Sequence, residues 1–469
     1  MQENNWVIEE TREARFTDGR LKKRYINLLD IFTKSPDKSI PGACKTWKET
    51  LAAYRFFNHG GITPKEILEP HYSATVERVK KEKVVLIPQD TTEIDFSGRK
   101  TLDVGYLKDE NSRGFYIHPS LAITPDKLCL GLVDVQIWQR EELGTRADRK
   151  DKPIEEKESY RWLEGYEVAN RIALDASDTV VVSISDREGD IYEVLEKTPS
   201  EENKAYWLIR SSLNRKTLEE GNLKLRETVK LGLPIGEIEF ELPSGKTYNR
   251  DKSKRVKRKK RSVRQEIKVC TVKLCPPPRK GKKLSPVSIN VIHCIEIDPP
   301  SEEDKIEWFL LTSLPIGNVE TAITIVNWYL CRWQIEIFFK ILKSGCTIEK
   351  LQFESFKAIS NCIALYMIVA WRILYLTTIG RVCPDIRCDC VFEIEEWQSV
   401  YAIVAKKSPP KKPPKLNEII LMIAKLGGFL GRKWDGEPGP KVMWIGVQRM
   451  RDFTLAWDTF GPTKSKSYV

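Results

Sequence analysis

Histidine is scarce in this sequence, with four residues in a chain of 469. Cys383, Cys388 and Cys390 stand close together, but their C-x4-C-x-C spacing is not that of a zinc finger or ribbon, and no fourth ligand is near. The eleven cysteines form an odd set without regular pairing, in a chain large enough to bury a core without disulfides. We therefore expect reduced thiols, as in a cytosolic protein, and no structural zinc.

The sequence also lacks an uninterrupted apolar run long enough to cross a membrane. The longest candidate, residues 362–379, contains Arg372 and is predicted to be a buried helix. The N-terminal residues have no basic start followed by an apolar core, so we expect no secretory signal. The glycine-rich residues 427–432 lack the Gly-Lys-Ser/Thr ending of a phosphate-binding loop, and we interpret them as a helix cap and turn.

Positive charge is concentrated in one segment. The chain has 77 Lys and Arg against 66 Asp and Glu, a net charge of +11. Residues 249–264, here called the basic arm, hold ten Lys and Arg and one Asp, a local charge of +9 that leaves +2 for the rest. Such a distribution indicates that a polyanion is contacted at one place. A disordered, solubilising loop is the alternative.

Changes in the pattern of apolar residues divide the chain into three regions. Residues 1–75 are predicted to be helical and basic, with one helix at about residues 47–57, which suits either DNA binding or an ordinary helical hairpin. Residues 76–375 alternate the strands and helices of a mixed α/β core, and residues 206–211 are one of its predicted strands. A β-rich insertion at about residues 212–306 contains the basic arm and an alternating segment at residues 237–242. Residues 376–469 contain a polyproline-like linker at residues 408–415, followed by two amphipathic helices.

Two apolar runs that are predicted to be buried strands each lead to an aspartate. Residues 84–87 precede Asp90, and residues 179–185 precede Asp186. Ligands of open α/β sheets gather at strand ends, and adjacent strands lie about 5 Å apart, so the two carboxylates can share metal ions. An aspartate after a strand is also a common turn or helix cap, and for either residue alone that interpretation is favoured.

A helix predicted at residues 328–343 offers a third carboxylate. Its polar residues are spaced 3, 4, 4 and 3 apart and fall within an arc of roughly 80° at about 100° per residue. One carboxylate among three cations and a phenol suits a metal ligand beside phosphates. A solvated helix with ordinary charge pairs is the alternative. These polar residues are Tyr329, Arg332, Glu336, Lys340 and Lys343.

Together these residues resemble a known family. The spacing Tyr329-x2-Arg332-x3-Glu336-x6-Lys343 resembles the Tyr–Arg–Glu–Lys signature of DDE transposases from bacterial cut-and-paste insertion sequences, in the hairpin-forming branch. Residues 89–92 and 185–190 resemble the segments that bear the two catalytic aspartates of that family. The resemblance extends in the right order over nearly the whole chain. Smaller matches occur at residues 54–56, 112–115 and 426–430.

The resemblance implies a ribonuclease-H-like mixed-sheet core with a β-rich insertion, flanked by an N-terminal helical DNA-binding domain and a C-terminal helical dimerisation domain. It implies that Asp90, Asp186 and Glu336 hold two Mg2+ ions, for which Mn2+ would substitute. The implied activity is nicking, hairpin formation and resolution, and strand transfer at the ends of an insertion sequence. A homodimer on double-stranded DNA, in the bacterial cytoplasm and away from membranes, would carry it out.

The resemblance also implies which side chains contact DNA. Tyr329, Arg332 and Lys343 would hold the backbone around the cleavage phosphate, helped by Lys340. Trp308 matches the tryptophan on which a flipped base stacks, although a core tryptophan beside a strand is the alternative. The remaining DNA contacts are expected at Arg24, Lys34 and Arg55 near the N-terminus, and at Lys252, Lys254, Arg255, Lys257 and Arg258 in the basic arm.

Two other functions remain open at this point. A transposase-derived regulator could bind DNA and dimerise without cutting it, although the intact set of acidic residues argues against this. A general Mg2+-dependent nuclease could cut unrelated duplexes, but it would have little use for a dimerising C-terminal region. A Mg2+-dependent nicking assay on DNA that carries a transposon end would separate these alternatives from a transposase.

Overall fold

The protein forms two compact units in a computed structural model. The described residues of the first unit fall within Met1–Lys81, Thr91–Leu143 and Trp333–Val469, and those of the second within Glu82–Asp90 and Gly144–Arg332. The structure describes residues 5–99, 102–143, 152–242, 245–248, 255–279, 283–300 and 305–461.

Among the described residues, helices predominate in the first unit, but the helices within residues 160–330 belong to the second unit. In chain order the helices are α1 (Asn5–Thr11), α2 (Gly19–Lys34), α3 (Ile40–Ala43), α4 (Trp47–Phe57), α5 (Pro64–Val79), α6 (Tyr160–Asp175), α7 (Tyr192–Leu195), α8 (Leu225–Lys230), α9 (Val319–Leu330), α10 (Trp333–Lys340), α11 (Phe356–Val382), α12 (Ile394–Ala405), α13 (Leu416–Leu426) and α14 (Pro440–Phe460). Helix α4 begins with a capping box, in which Thr46 and Glu49 each accept a hydrogen bond from the other's backbone N–H. This local signal explains why the bounds of α4 could be predicted from the sequence.

Strands form a mixed sheet. In chain order they are β1 (Val84–Pro88), β2 (Thr92–Asp95), β3 (Gly114–Ile123), β4 (Cys129–Trp138), β5 (Val180–Ser185), β6 (Tyr206–Arg210), β7 (Pro234–Leu242), β8 (Gly245–Tyr248), β9 (Arg255–Arg258), β10 (Arg261–Leu274), β11 (Val287–Glu296) and β12 (Glu307–Thr312). In the first unit β3 pairs antiparallel with both β2 and β4. In the second unit the strand order is β1-β5-β6-β12-β11-β10-β7, while β8 and β9 form a separate antiparallel pair.

The sheet of the second unit combines two pairing directions. Strands β1, β5 and β6 are parallel, and their buried, β-branched sequences suit a sheet that is covered on both faces. The strands from β6 through β12, β11 and β10 to β7 are antiparallel. The predicted β-rich insertion therefore extends the same sheet beyond β12. This arrangement confirms the predicted mixed α/β fold with a ribonuclease-H-like core.

The long helix α11 is the centre of the first unit's core. Among the described residues it is the one helix long and apolar enough to cross a membrane, yet 94% of its most apolar window is buried. It packs against α2, α4, α5 and β4, and the Tyr366 ring stacks on Phe32 at 5.0 Å between centroids. The Arg372 guanidinium donates a hydrogen bond to the Val391 carbonyl at 3.0 Å. The buried helix predicted at this position is thus confirmed.

A buried polar cluster fastens α1 to α5 in the same unit. The Glu10 carboxylate lies 2.5 Å from His71 Nδ1 and accepts a hydrogen bond from Arg78 at 2.6 Å. The Leu132 N–H donates to His71 Nε2 at 3.0 Å, so Nε2 is unprotonated and Nδ1 carries the hydrogen. Burial lowers the pKa of His71, against the opposing effect of Glu10. His71 is therefore neutral in the folded protein.

We expect the stability of the first unit to fall as the pH drops below about 6.5. Because the folded-state pKa of His71 is lowered, the unfolded chain binds this proton more readily, and the stabilisation present above that pH is lost on acidification. His71→Gln should reduce the slope of unfolding free energy against pH by at most one proton, about 1.4 kcal/mol per pH unit. Denaturant unfolding between pH 5 and 8 measures this slope. His59→Gln, at an exposed histidine, is the control, and equal slopes for all three proteins would contradict the assignment.

Candidate active site

Three polar residues lie at the carboxyl ends of neighbouring parallel strands in the second unit's sheet. The parallel β1–β5 ladder pairs Val84 with Val180 and continues to the Gln89 N–H, which donates to the Ile184 carbonyl at 3.0 Å. Continued past the last paired residues, the same register would set Asp90 opposite Asp186. Adjacent strands lie about 4.8 Å apart, so the ends of β1 and β5 lie side by side at the carboxyl edge of the sheet. Both strand-end aspartates that the sequence singled out therefore belong to the second unit, where each follows one of two paired strands.

Arg210 is the third member of this row, and the sequence analysis did not identify it. Strand β6 pairs Ser185 with Ile209, so the next position sets Arg210 beside Asp186. The residues 206–211 were predicted to be a strand, but only acidic strand ends were considered as site residues. A basic residue at the end of a strand next to Asp186 was the available signal. Burial lowers the pKa of Arg210, and its side chain is hydrogen-bonded to Tyr329.

Arg332 forms an ion pair with Asp90. Its Nη1 lies 3.0 Å from Asp90 Oδ2, and the two side chains are only 10% and 19% exposed. The Tyr329 hydroxyl is hydrogen-bonded to the Arg332 side chain as well as to Arg210. Burial raises the pKa of Tyr329, more than the two guanidinium groups lower it, so the phenol keeps its proton at neutral pH. A buried network of alternating charge and hydrogen bonds therefore lies against the row of strand ends.

Asp186 also caps a short helix. Its Oδ1 accepts a hydrogen bond from the Glu188 N–H at 2.8 Å, at the start of the 3-10 helix Arg187–Gly189. Burial and the charge of Asp186 raise the pKa of Glu188. A Cβ on Gly189 would come within 2.2 Å of Ser185 Oγ, so the turn is packed too tightly for a side chain there. Asp186 is thus both a helix cap and a strand-end carboxylate, and the two roles do not exclude each other.

Trp308 lies near this network in the second unit. It is partly buried on β12, where its ring stacks on Phe240 with the centroids 5.5 Å apart. Its other ring neighbour is Tyr329, at 6.2 Å and tilted by 58°. Trp308 is therefore not a fully buried core residue, and it borders the phenol that joins Arg332 to Arg210.

The prediction of one continuous helix over residues 328–343 is wrong. Helix α9 ends at Leu330, Cys331 and Arg332 form a turn, and α10 begins at Trp333. The turn is closed by hydrogen bonds from the Cys331 and Arg332 N–H groups to carbonyls three residues earlier, at 3.0 and 3.1 Å. A regular charge spacing continues across a two-residue turn, so the pattern could not reveal the break. A π-helix at Ile341–Gly345 follows α10.

The remaining residues of the predicted signature belong to the first unit. Glu336 and Lys340 are exposed on α10, while Ile335 and Phe338 are buried, as the apolar side of the pattern predicted. Lys343 is half-buried in the π-helix, where its ammonium donates to the Glu93 carbonyl and lies 3.7 Å from Glu349. The signature therefore supplies two residues to the strand-end network of the second unit, Tyr329 and Arg332, and three to the surface of the first.

The predicted N-terminal DNA contacts lie on two helices of the first unit. Arg24 is half-buried and Lys34 exposed on α2, and Arg55 is exposed on α4. Lys34 pairs with Asp30 at 2.5 Å, but such an accessible pair contributes little stability and leaves the ammonium near solvent. In the basic arm, Arg255, Lys257 and Arg258 lie on strand β9. Lys252 and Lys254 lie outside the described residues.

The chemistry of the row suits a hard divalent cation. Asp90 and Asp186 offer carboxylate oxygens, which Mg2+ and Mn2+ prefer over nitrogen or sulfur. Among the residues that the structure describes, no three His, Cys, Asp or Glu side chains are grouped so that they could hold a metal ion. Asp90 and Asp186 thus offer the kind of oxygen atoms that such an ion prefers, and Arg332 supplies the positive charge next to Asp90.

The ion pair between Asp90 and Arg332 should contribute measurably to stability. We expect a double-mutant cycle with Asp90→Asn and Arg332→Gln to give a coupling free energy of about 1–3 kcal/mol, because both side chains are largely buried. Denaturant unfolding of the four proteins measures it. The pair Lys260 and Glu241, which is 69% and 60% exposed, is the control and should couple by less than about 0.5 kcal/mol. Equal coupling in the two pairs would contradict the expectation.

Three family models match successive parts of the chain. The model described as "Transposase DNA-binding" matches residues 3–62, the "Transposase DDE domain" matches residues 197–372, and the "Transposase Tn5 dimerisation domain" matches residues 368–460. The second match contains Glu336 and Arg332, whereas Asp90 and Asp186 precede it. Together the three matches cover most of the chain.

A solved structure gives a weaker comparison. The chain is similar to the piggyBac transposase in a synaptic complex with hairpin DNA, at 8% identity and a TM-score of 0.35, over 98% of this chain and 79% of that one. A likeness at this level carries no argument. The three family models do, because they describe different parts of a transposase and follow one another along the chain. The protein therefore belongs to the DDE transposases of the Tn5 type, enzymes that transfer phosphoryl groups of DNA with the help of divalent metal ions.

Proposed function

We propose that this transposase cuts and joins the ends of an insertion sequence at the sheet edge formed by Asp90, Asp186 and Arg210, with Glu336 as the third acidic residue. The observation that carries the proposal is the parallel pairing of β1, β5 and β6, whose carboxyl ends bear two carboxylates and a guanidinium. Ligand sites of α/β sheets gather at this edge. Carboxylates and guanidinium groups side by side suit a phosphodiester that is bound next to cations.

We propose Mg2+ as the metal, with Mn2+ as a substitute. Asp90, Asp186 and Glu336 would hold two ions through oxygen atoms, which are the ligands that Mg2+ prefers. When bound, the ions supply a more acidic water or hydroxyl and neutralise charge on the phosphoryl oxygens. The protein's own part is to hold the carboxylates in position. The Asp90–Arg332 ion pair at 3.0 Å supports this role, since it fixes the Asp90 side chain in one orientation.

The cations around the row would bind the DNA backbone. Arg332 suits a phosphate because its fork of N–H donors matches two oxygens at once. Tyr329, whose hydroxyl keeps its proton, can donate a hydrogen bond to a further oxygen. Lys340 and Lys343 would add point charges along the same strand of DNA. Arg210 has the same side-chain chemistry as Arg332, and both guanidinium groups are hydrogen-bonded to Tyr329.

We further propose that the cleaved end passes through a hairpin. A hairpin bends the duplex sharply, and taking one base out of the stack relieves the bend. Trp308 is the candidate platform for that base, because it is only partly buried and lies beside Tyr329. Stacking of a base on an aromatic ring contributes about 1–3 kcal/mol. The Phe240 ring, stacked against Trp308, would hold the indole in a fixed plane.

The other regions would recognise DNA and a second subunit. Residues 1–75 would bind the transposon end through Arg24, Lys34 and Arg55, and the basic arm would add contacts from Lys252, Lys254, Arg255, Lys257 and Arg258. Residues 376–469 would join two subunits into a homodimer, with residues 76–375 as the catalytic core between these regions. Leu455 and Phe460 on α14, at 55% and 83% exposed, support an apolar contact there. We place this activity in the bacterial cytoplasm, on chromosomal DNA.

Asp90→Asn, Asp186→Asn and Glu336→Gln should each reduce Mg2+-dependent nicking of an end-bearing duplex by about 1,000-fold or more, because each removes a charge from the proposed metal site. Gel-shift affinity for the same duplex should stay within about twofold of wild type. Asp385→Asn, at an exposed position, is the control. Nicking at the wild-type rate by any of the three variants would refute that assignment.

The wild-type reaction itself separates the rival functions. Equal cutting of unrelated duplexes would indicate a general nuclease, and binding without any cutting in Mg2+ or Mn2+ would indicate a regulator. A transposase should cut at the boundary of the end sequence and then join that end to target DNA.

Trp308→Ala should slow hairpin formation about tenfold or more while first-strand nicking stays near the wild-type rate, because the flipped base loses its stacking surface. Trp308→Phe keeps an aromatic face and should recover most of the lost rate. Denaturing gels that separate nicked, hairpin and blunt ends measure the two steps. If the alanine variant formed hairpins as fast as wild type, the stacking role would be wrong.

A further inference from the structure

Asp190 is a fully buried carboxylate that takes no part in the proposed chemistry. One of its oxygens accepts hydrogen bonds from the backbone N–H groups of Ser212 and Leu213, at 2.7 and 2.8 Å. The other accepts from the Arg215 guanidinium at 2.6 and 3.2 Å, and the same guanidinium donates to the Asp190 carbonyl at 2.7 Å. The Asp190 side chain is 0% exposed, and that of Arg215 is 8% exposed. Both groups are therefore fixed in place by several strong hydrogen bonds.

Asp190, the acidic member of the Asp190–Arg215 ion pair, is joined to Asp186 by a single turn of the chain. The two aspartates flank the single-turn 3-10 helix Arg187–Gly189, with Asp186 as its N-cap and Asp190 as its C-cap. Close packing of Gly189 on Ser185 leaves this turn no room to adjust. A displacement of Asp190 would therefore be transmitted to the Asp186 carboxylate rather than absorbed between them.

Arg215, the basic member of the ion pair, belongs to the β-rich insertion. Residues 212–215 follow β6, and several hydrogen bonds bind them to the start of α8. Among these, the Arg226 N–H donates to Asn214 Oδ1 at 3.0 Å, and the Leu225 N–H donates to the Arg215 carbonyl at 2.8 Å. Helix α8 packs on β10, and Lys268 on that strand donates to the Lys230 carbonyl at 3.2 Å. Strand β10 starts within the basic arm, at Arg261.

We propose that Asp190 and Arg215 are positioning residues that couple the β-rich insertion to the active site. The pair sets the position of the Asp186 carboxylate beside Asp90. DNA contact at the insertion therefore changes the position of this carboxylate in the metal site. The inference rests on the proposed role of Asp186 as a metal ligand. Groups that orient a ligand without touching the metal are known to change metal affinity or activity by about 10- to 100-fold when they are altered.

The test compares two buried carboxylates of the same region. Asp190→Asn keeps the size of the side chain but removes the charge that holds Arg215. Glu193→Gln is the matched control, because Glu193 is also buried and pairs with Arg279 of the insertion at 2.7 Å, but it lies beyond the turn that carries Asp186. Mn2+ binding, followed by electron paramagnetic resonance on the DNA-free protein, reports on the site without any turnover. Nicking kinetics and gel shifts on an end-bearing duplex separate the catalytic rate from DNA affinity.

We expect Asp190→Asn to weaken Mn2+ binding about tenfold or more and to lower kcat for nicking by a similar factor, with DNA affinity within about twofold of wild type. Glu193→Gln should change neither Mn2+ binding nor kcat. Should Asp190→Asn fail to fold, Arg215→Lys keeps the charge but loses the forked donor, and it should weaken Mn2+ binding by a smaller factor.

Two results would overturn the inference, and they differ in what else they overturn. If Asp186→Asn abolishes Mn2+ binding and nicking while Asp190→Asn, or Arg215→Lys in its place, matches Glu193→Gln in both, the positioning role alone is wrong. If Asp186→Asn itself binds Mn2+ and nicks like wild type, the proposed function of Asp186 is wrong, and the inference falls with it.

Discussion

The parallel register of β1, β5 and β6 is the constraint on which the active site depends. No single segment of the chain contains the site, because Asp90, Asp186 and Arg210 become neighbours only when three strands align at fixed offsets. A slip of one residue would turn the side chains of a strand to the opposite face of the sheet. The apolar side chains of β1 and β5 are buried apart from those of Val84 and Val180 at the strand starts, so such a slip would also expose core residues. The hydrophobic core therefore fixes the position of the polar site.

The site balances charge in a partly buried environment. Two aspartates side by side repel each other, and burial makes that repulsion costly unless positive charge is near. Arg332 provides such charge for Asp90, and Arg210 stands next to Asp186 in the strand order. Tyr329 connects the two guanidinium groups through a neutral hydroxyl. This arrangement places positive charge beside each aspartate, and it already contains the donors that a phosphate would need.

Local signals in the sequence predicted much of the fold. The β-branched run before Asp186 and the capping residues before α4 each determine structure within a few residues, and both elements were predicted. The turn at Cys331 and Arg332 was not predicted, because helical charge spacing survives the interruption. Arg210 was missed because its significance comes from the strand beside it, which no local pattern identifies. The Glu10–His71 contact joins residues 61 positions apart, so it too required the folded structure.

The same reasoning applies to the insertion. Alternation of polar and apolar residues predicted that residues near 237–242 form a strand, and β7 confirms this. Alternation does not say which strand is the neighbour, so the continuation of the sheet from β12 through β11 and β10 could not be read from the sequence. The buried ion pair between Asp190 and Arg215 joins residues that follow β5 and β6, two strands that pair directly in this sheet.

The apolar character of α11 has a consequence for how the protein is made. A helix this hydrophobic would aggregate, or be taken for a membrane segment, if it left the ribosome without partners. Four of the elements that pack on it, α2, α4, α5 and β4, precede it in the chain by more than 200 residues, whereas α13 and α14 follow it. The first four are therefore synthesised before α11 and can cover part of its apolar surface as it emerges, while the remaining part is covered only after the C-terminal helices have been made.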